Sequence, residues 1–200
     1  MTECELEFTI RTDPDETLGQ YVLLFEGKAI TWNDEASEEQ PVATIQGHRI
    51  DLAAALHDGL TPAEILHSLT PEIDEFAETV LKDGKCLLPP DAEHPAGSEC
   101  ECLVYISTLN VEPGFRGQGL GTRLLRRLGS TIDMEHCLIA LKALPIREDP
   151  AHTASEAQIA RVKRFYERNG FEHAGKDYMV KDARRCEAIK KRLAMRARAR

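Results

Sequence analysis

The residues whose types and spacing point most directly to chemistry are Arg116, Gly117, Gln118, Gly119, Leu120 and Gly121. Three glycines alternate with other residues just where Leu120, Leu124, Leu125 and Leu128 begin to recur at helical spacing. Glycines at a helix start let backbone N–H groups converge with no Cβ between them. Those N–H groups and the positive end of the helix dipole make an anion site suited to a pyrophosphate. Two common phosphate loops are excluded by spacing. The pattern G-x-x-x-x-G-K-[ST] needs a lysine that is absent here. The pattern G-x-G-x-x-G begins at Gly117 and Gly119 but meets Thr122 where its third glycine belongs.

Such a loop needs a strand to deliver it and a helix to receive it. Residues 103–111 read as the strand. Simple alternation sends Leu103, Tyr105, Ser107, Leu109 and Val111 to one face and Val104, Ile106, Thr108 and Asn110 to the other. Both faces are mostly apolar or small, so the strand is expected in the middle of a sheet. Pro113 and Gly114 end it. A second buried strand is expected over residues 136–144, stopped by Pro145. Thr153 and Glu156 have capping-box spacing and predict a helix over 154–168, with Ile159, Val162 and Tyr166 on one side. Asn169 and Gly170 close it, and strand-like sequence follows through Val180.

The first hundred residues read in a different order, strands before helices. Strands are expected over 6–11, 20–25 and 42–50, with Gly27-Lys28 as a turn. A short helix is expected over 51–56. Thr61-Pro62-Ala63-Glu64 and Thr70-Pro71 each place a cap before an N1 proline, so two more helices should begin there.

The run from Arg116 to Gly121, preceded by a strand ending in Val111-Glu112-Pro113, resembles the acyl-CoA signature of the GNAT N-acetyltransferases. Tyr166 to Phe171, Y-x-x-x-G-F, is similar to that family's closing motif. The resemblance implies an α/β fold with a mixed, mainly antiparallel central sheet flanked by helices, here with an atypical N-terminal half. It implies acetyl-CoA as co-substrate, with no metal, and acetyl transfer to a primary amine by direct attack in a ternary complex. It assigns the phosphates to the N–H groups of Arg116, Gly117, Gln118, Gly119, Leu120, Gly121 and Thr122, assisted by the Arg116 side chain. It assigns the pantetheine and thioester to the backbone of Leu109, Asn110 and Val111, where the central strand splays from its neighbour. Tyr166 is the implied acid for the leaving thiolate, and Glu101 the candidate base. His94, His136 and His152 are read as surface imidazoles. Ile159 stands where the family often carries an Asn. That departure keeps open an alternative, a non-catalytic acyl-CoA-binding sensor or regulatory module of the same fold. The expected organisation is one domain over 1–181 (1–99 shaping the acceptor site, 100–181 binding acetyl-CoA) and a basic C-terminal helix over 182–200.

Composition bears on partners. The net charge of −9 conceals an asymmetry: residues 181–200 hold nine Lys/Arg against two Asp/Glu, so the preceding body carries −16. A body this acidic suits a cationic amine, either a small molecule or a peptide, and does not suit nucleic acid. The basic segment is expected to dock on acidic surface, in its own chain or across a homodimer. The apolar runs are too short to span a membrane. MTECELEF has no signal-peptide pattern, and the six cysteines lack zinc spacing, so reduced thiols and a cytoplasmic location are expected.

Overall fold

The structure, a computed structural model, describes residues 4–33, 38–82, 85–86, 100–134, 137–146 and 154–183. It opens with an antiparallel meander of β1 (Glu5–Thr12), β2 (Val22–Asn33) and β3 (Glu38–Asp51). Three helices follow: α1 (Leu52–His57), α2 (Pro62–His67) and α3 (Pro71–Val80). Each has a side-chain cap. Asp51 accepts from the Ala54 N–H, Thr61 and Glu64 complete a capping box, and Thr70 accepts from the Ile73 N–H. A small ribbon pairs β4 (Leu81–Lys82) with β5 (Lys85–Cys86). Then come β6 (Cys102–Val111), α4 (Leu120–Thr131), β7 (Cys137–Lys142), α5 (Glu156–Arg168), β8 (Glu172–Gly175) and β9 (Tyr178–Asp182).

Seven strands form one sheet in the order β1-β2-β3-β6-β7-β9-β8. Among the described residues only β6 and β7 run parallel; the other five pairings in this sheet are antiparallel. The fold is thus α/β with a mixed, mainly antiparallel sheet, and its first half runs strands before helices. One face of the sheet buries Ile50, Leu103, Tyr105, Leu138 and Val180 beneath Leu52, Ile65, Ile73 and Phe76 of α1–α3. The other face buries Ile45, Val104, Ile106, Ile139 and Met179 beneath Leu120, Leu124 and Leu128 of α4 and Tyr166 of α5.

The central strand departs from simple alternation at one residue. Gln46 opposes Thr108 and Gly47 opposes Ile106, so Ser107 has no counterpart on β3. An extra residue exchanges the faces beyond it. Leu103 and Tyr105 face α1–α3, but Leu109 and Val111 join Val104 and Ile106 on the α4 side. The expected common face of Leu103, Tyr105, Ser107, Leu109 and Val111 is therefore corrected. Glycine is needed opposite the bulge. A Cβ on Gly47 would stand 2.1 Å from the Tyr105 carbonyl oxygen and 2.6 Å from the Phe25 ring.

Other expectations are corrected in detail. Gly27-Lys28 is no turn but lies inside β2, because the Phe8 ring sits 2.5 Å from where a Gly27 Cβ would be. A glycine that reads as a turn is here a slot for an aromatic ring. Helix α5 starts later than expected: Ser155, not Thr153, is its cap, and Gln158 is the reciprocal partner. Cys102 and Cys137 are not separate thiols. They stand in register across β6 and β7, with Cα atoms 4.4 Å apart, and are joined as a disulfide. A separation of 35 residues hid a pairing that parallel register creates. Among the described residues no helix is long and apolar enough to cross a membrane. His94, His136, His152 and the basic segment beyond Ala183 lie outside the described residues.

Candidate functional site

The sheet opens beside the central strand. β7 accompanies β6 only from Cys102 to Ile106, opposite Leu141, whereas β6 continues to Val111. Two local causes are visible. The bulge at Ser107 re-aims β6. Just past the end of β7, the Ala143 N–H donates to the Asp177 carbonyl at 2.7 Å, drawing that chain toward the β8–β9 hairpin. From Thr108 to Val111 the β6 backbone is paired with β3 on one edge, and from Ser107 onward it has no β7 partner on the other. This is a fork lined by peptide N–H and C=O groups.

The glycine run lies beyond the open end of that fork. A single 3₁₀ turn over Pro113–Phe115 reverses the chain. Arg116 Nε donates to the Val111 carbonyl at 2.8 Å, so this side chain braces the turn. Gly117 and Gly119 both have φ +80°, a left-handed conformation that favours glycine, and no atom lies within 4 Å of where a Cβ on either would stand. Gly119 is the N-cap of α4, and no side chain caps the helix. The Arg123 N–H bonds to the Gly119 carbonyl, leaving the N–H groups of Leu120, Gly121 and Thr122 without intrahelical acceptors. Open space over two glycines and uncapped amides at a helix N-terminus fit a pyrophosphate.

Gly121 brings three elements together. Its missing Cβ would meet the Phe165 ring of α5 at 3.0 Å and Val111 of β6 at 3.7 Å. The next residue on α5 is Tyr166, 7% exposed, with its ring edge-on to Phe165 and Phe171 at centroid distances of 5.0 and 5.6 Å. Among the described residues its hydroxyl has no hydrogen-bond partner. Burial pushes the phenol well above its ordinary value near 10, so it stays protonated at neutral pH. A buried donor without an acceptor is costly unless something else accepts from it.

Leu109, Asn110, Val111 and the run from Arg116 to Thr122 are thus contiguous, and α5 packs against their junction. Glu101 is not brought to the fork. It precedes β6 at the closed end, exposed, its carbonyl accepting from the Ala53 N–H at 2.9 Å. Six residues of extended chain, roughly 20 Å, separate it from Ser107. Alternation predicted a face for Glu101 but not the end at which the sheet would open.

Polar groups that sequence reasoning missed line the α1–α3 side. Tyr105 donates to Glu72 of α3 at 2.7 Å, and Tyr178 donates to Glu75 at 3.0 Å. Glu75 also accepts from Lys142 at 2.7 Å and Lys176 at 3.1 Å, and these bonds hold its carboxyl down to about 2. His48 Nδ1 lies 3.5 Å from the hydroxyl of Ser107, the bulged residue. No local pattern marks these residues, because strand register and helix docking alone unite them. Among the described residues no group of three or more His, Cys, Asp or Glu side chains could hold a metal ion. A cavity of about 810 Å³ lies at the other end of α4, between Leu128, Ile139 and Phe171, away from the glycine run.

A forked sheet whose central strand leads through a glycine turn into an uncapped helix sets an open strand edge beside an anion-binding helix end. Residues 78–173 match the family model described as the acetyltransferase (GNAT) domain. No curated protein matches the chain. Among solved structures it is similar to Arabidopsis thaliana NAA60 in complex with acetyl-CoA, at 14% identity and a TM-score of 0.43, covering 89% of this chain and 98% of that one. It is also similar to AtaTR bound with AcCoA, at 10% identity and a TM-score of 0.41, covering 92% and 98%. The KacTA–DNA complex gives 10% identity and a TM-score of 0.41, covering 92% and 99%. Likenesses this distant say nothing about the substrate.

Proposed function

We propose that this protein transfers an acetyl group from acetyl-CoA to a primary amine by direct attack in a ternary complex. The observation that carries the reading is the fork: the Ser107–Val111 backbone lacks a β7 partner right where the chain turns into the uncapped N-terminus of α4. The N–H groups of Arg116, Gly117, Gln118, Gly119, Leu120, Gly121 and Thr122 hold the phosphates of the co-substrate, and Leu109, Asn110 and Val111 bind its pantetheine arm as an added strand would. A backbone N–H in this stretch also stabilises the thioester oxygen as charge develops there. The co-substrate supplies the activated acyl carbon and a thiolate leaving group. Tyr166 donates its hydroxyl hydrogen bond to that thiolate, which accounts for a buried phenol with no acceptor among the described residues. The acidic charge of residues 1–180 favours a cationic acceptor, a small amine or a peptide.

The test is calorimetry with acetyl-CoA, followed by thiol release with spermidine, kanamycin and a lysine-containing peptide. Gly119→Val, which places a branched residue at φ +80° over the anion cradle, is expected to weaken acetyl-CoA binding by at least about tenfold, or roughly 1.4 kcal/mol. Equal binding by wild type and variant would sink the loop assignment. Tight binding without turnover on any amine would favour the sensor reading over the enzyme.

A further inference from the structure

We propose that His48 is the proton acceptor for the attacking amine, reached through the hydroxyl of Ser107. This rests on the acetyl-transfer reading above and supplies the base which that reading lacks.

The placement follows from the bulge. In the register across the sheet, Arg11 opposes Leu24, Leu24 opposes His48 and His48 opposes Tyr105. Facing residues share a side, and Leu24 and Tyr105 lie on the α1–α3 side, so His48 does too. The bulged residue beside this row is Ser107, which is also the first β6 residue without a β7 partner. Its hydroxyl lies 3.5 Å from His48 Nδ1, long for a hydrogen bond, as catalytic contacts often are before substrate binds. Ser107 is exposed and His48 half-buried, so the hydroxyl is open to a substrate while the ring behind it is sheltered.

Among the described residues, the side on which His48 lies is the one left for an acceptor. Helices α4 and α5, with the cradle and Tyr166, cover the opposite face. Beyond the row of His48, the α1–α3 side continues as a polar strip of Glu26, Lys28, Gln46 and Thr108, exposed or half-buried. An amine entering over this strip meets Ser107 at the mouth of the fork, with the thioester on one side and the imidazole on the other.

The proton accounting closes. Ser107 Oγ takes one proton from R–NH₃⁺ as its own passes to His48 Nδ1. The amine nitrogen then bonds the acyl carbon, and the C–S bond breaks. The second amine proton leaves with the thiolate as CoA–SH, by way of the Tyr166 hydroxyl. His48 returns its proton to solvent, so the sum is R–NH₃⁺ plus acetyl-CoA giving the amide, CoA–SH and H⁺.

The surroundings suit a ring that must be neutral to act. Desolvation lowers the imidazole below its ordinary value, opposed in part by the negative charge of Asp13 on the β1–β2 connection. The charged groups on this face also include Glu5, Glu7 and Arg11 of β1, Glu26 and Lys28 of β2, and Glu72 and Glu75 of α3, the last two already accepting from Tyr105 and from Lys142 and Lys176. With a lowered pKa the ring is unprotonated at neutral pH. The acidic limb of kcat/KM should therefore fall below about 6.5.

The experiment measures kcat/KM from about pH 5 to pH 8 for wild type, His48→Gln and Ser107→Ala, with the best of spermidine, kanamycin and the lysine peptide. Calorimetry with acetyl-CoA is run alongside. Both variants should bind acetyl-CoA as wild type does, lose about 10²-fold or more in rate at neutral pH, and lose the acidic limb. Ser107 is exposed, so its variant guards against a His48→Gln chain that fails to fold. A folded Ser107→Ala or His48→Gln protein with the wild-type rate and limb overturns the assignment and leaves acetyl transfer standing. A wild type that binds acetyl-CoA but turns over none of the amines overturns both.

Discussion

Tyr166 is where a single atom can be asked a sharp question. Its ring is held by Phe165 and Phe171 whether or not the hydroxyl is present. Tyr166→Phe should therefore keep the fold, and it removes a buried donor that has no acceptor among the described residues. The melting temperature should stay level or rise slightly. If the hydroxyl meets the leaving thiolate, kcat falls by about 10²-fold while KM changes little. Steady-state kinetics beside a thermal melt reads both quantities. An unchanged kcat would return Tyr166 to a packing role. The residue itself was legible from the Y-x-x-x-G-F pattern. That its phenol is buried, and so a firm proton holder, was not legible, because burial depends on how α5 docks against Gly121 and Phe171.

At the scale of elements, the bulge in β6 decides the most. It moves Leu109 and Val111 to the α4 side, exposes Ser107, and starts the fork. Gly47 permits it, since any Cβ there would strike the backbone of Tyr105. Gly47→Ala is expected to destabilise the protein toward the upper end of about 1–3 kcal/mol, because a carbonyl in a central strand cannot step aside as a flexible side chain can. A urea titration showing a midpoint equal to wild type would mean that β3 and β6 relax more easily than this packing allows. Strands, caps and helix starts were mostly readable here: Asp51, Thr61 and Thr70 stand where local chemistry predicts a helix to begin. The bulge was not, because an extra residue in one strand is defined only against its partner.

Across the whole molecule, two charge effects can be read. Glu75 ties α3 to β7 through Lys142 and to the β8–β9 hairpin through Lys176 and Tyr178, joining the two halves of the chain. Its folded-state carboxyl is depressed from the ordinary 4.5 to about 2, with the Lys142 bond the largest cause. The stability this contributes is present above the unfolded value and is lost as pH falls from about 4.5 toward 2. Glu75→Gln should lower the melting temperature at neutral pH, and the gap to wild type should close as the solution is acidified through that window. A gap that stays constant would mean the contacts stabilise without charge. The second effect is long-range. A charge of −16 over residues 1–180 should concentrate a cationic acceptor, so kcat/KM with spermidine should fall as salt rises and the screening length shortens from about 10 Å at 0.1 M. A rate indifferent to salt would remove the electrostatic case for a cationic substrate.

The amino-acid sequence alone determined the glycine turn, the helix that follows it, the closing Y-x-x-x-G-F turn and the fold class, because each is written in residues adjacent along the chain. Backbone freedom at Gly117 and Gly119 and the helical spacing of Leu120, Leu124 and Leu128 need no partner to be recognised. Tertiary structure alone decided which side each β6 residue faces, where the sheet opens, and that His48 meets Ser107 across a distance of 59 residues. It also set Cys102 against Cys137 and left Glu101 at the closed end. These are matters of register and docking. A shift of one residue between strands reverses them without altering any local preference.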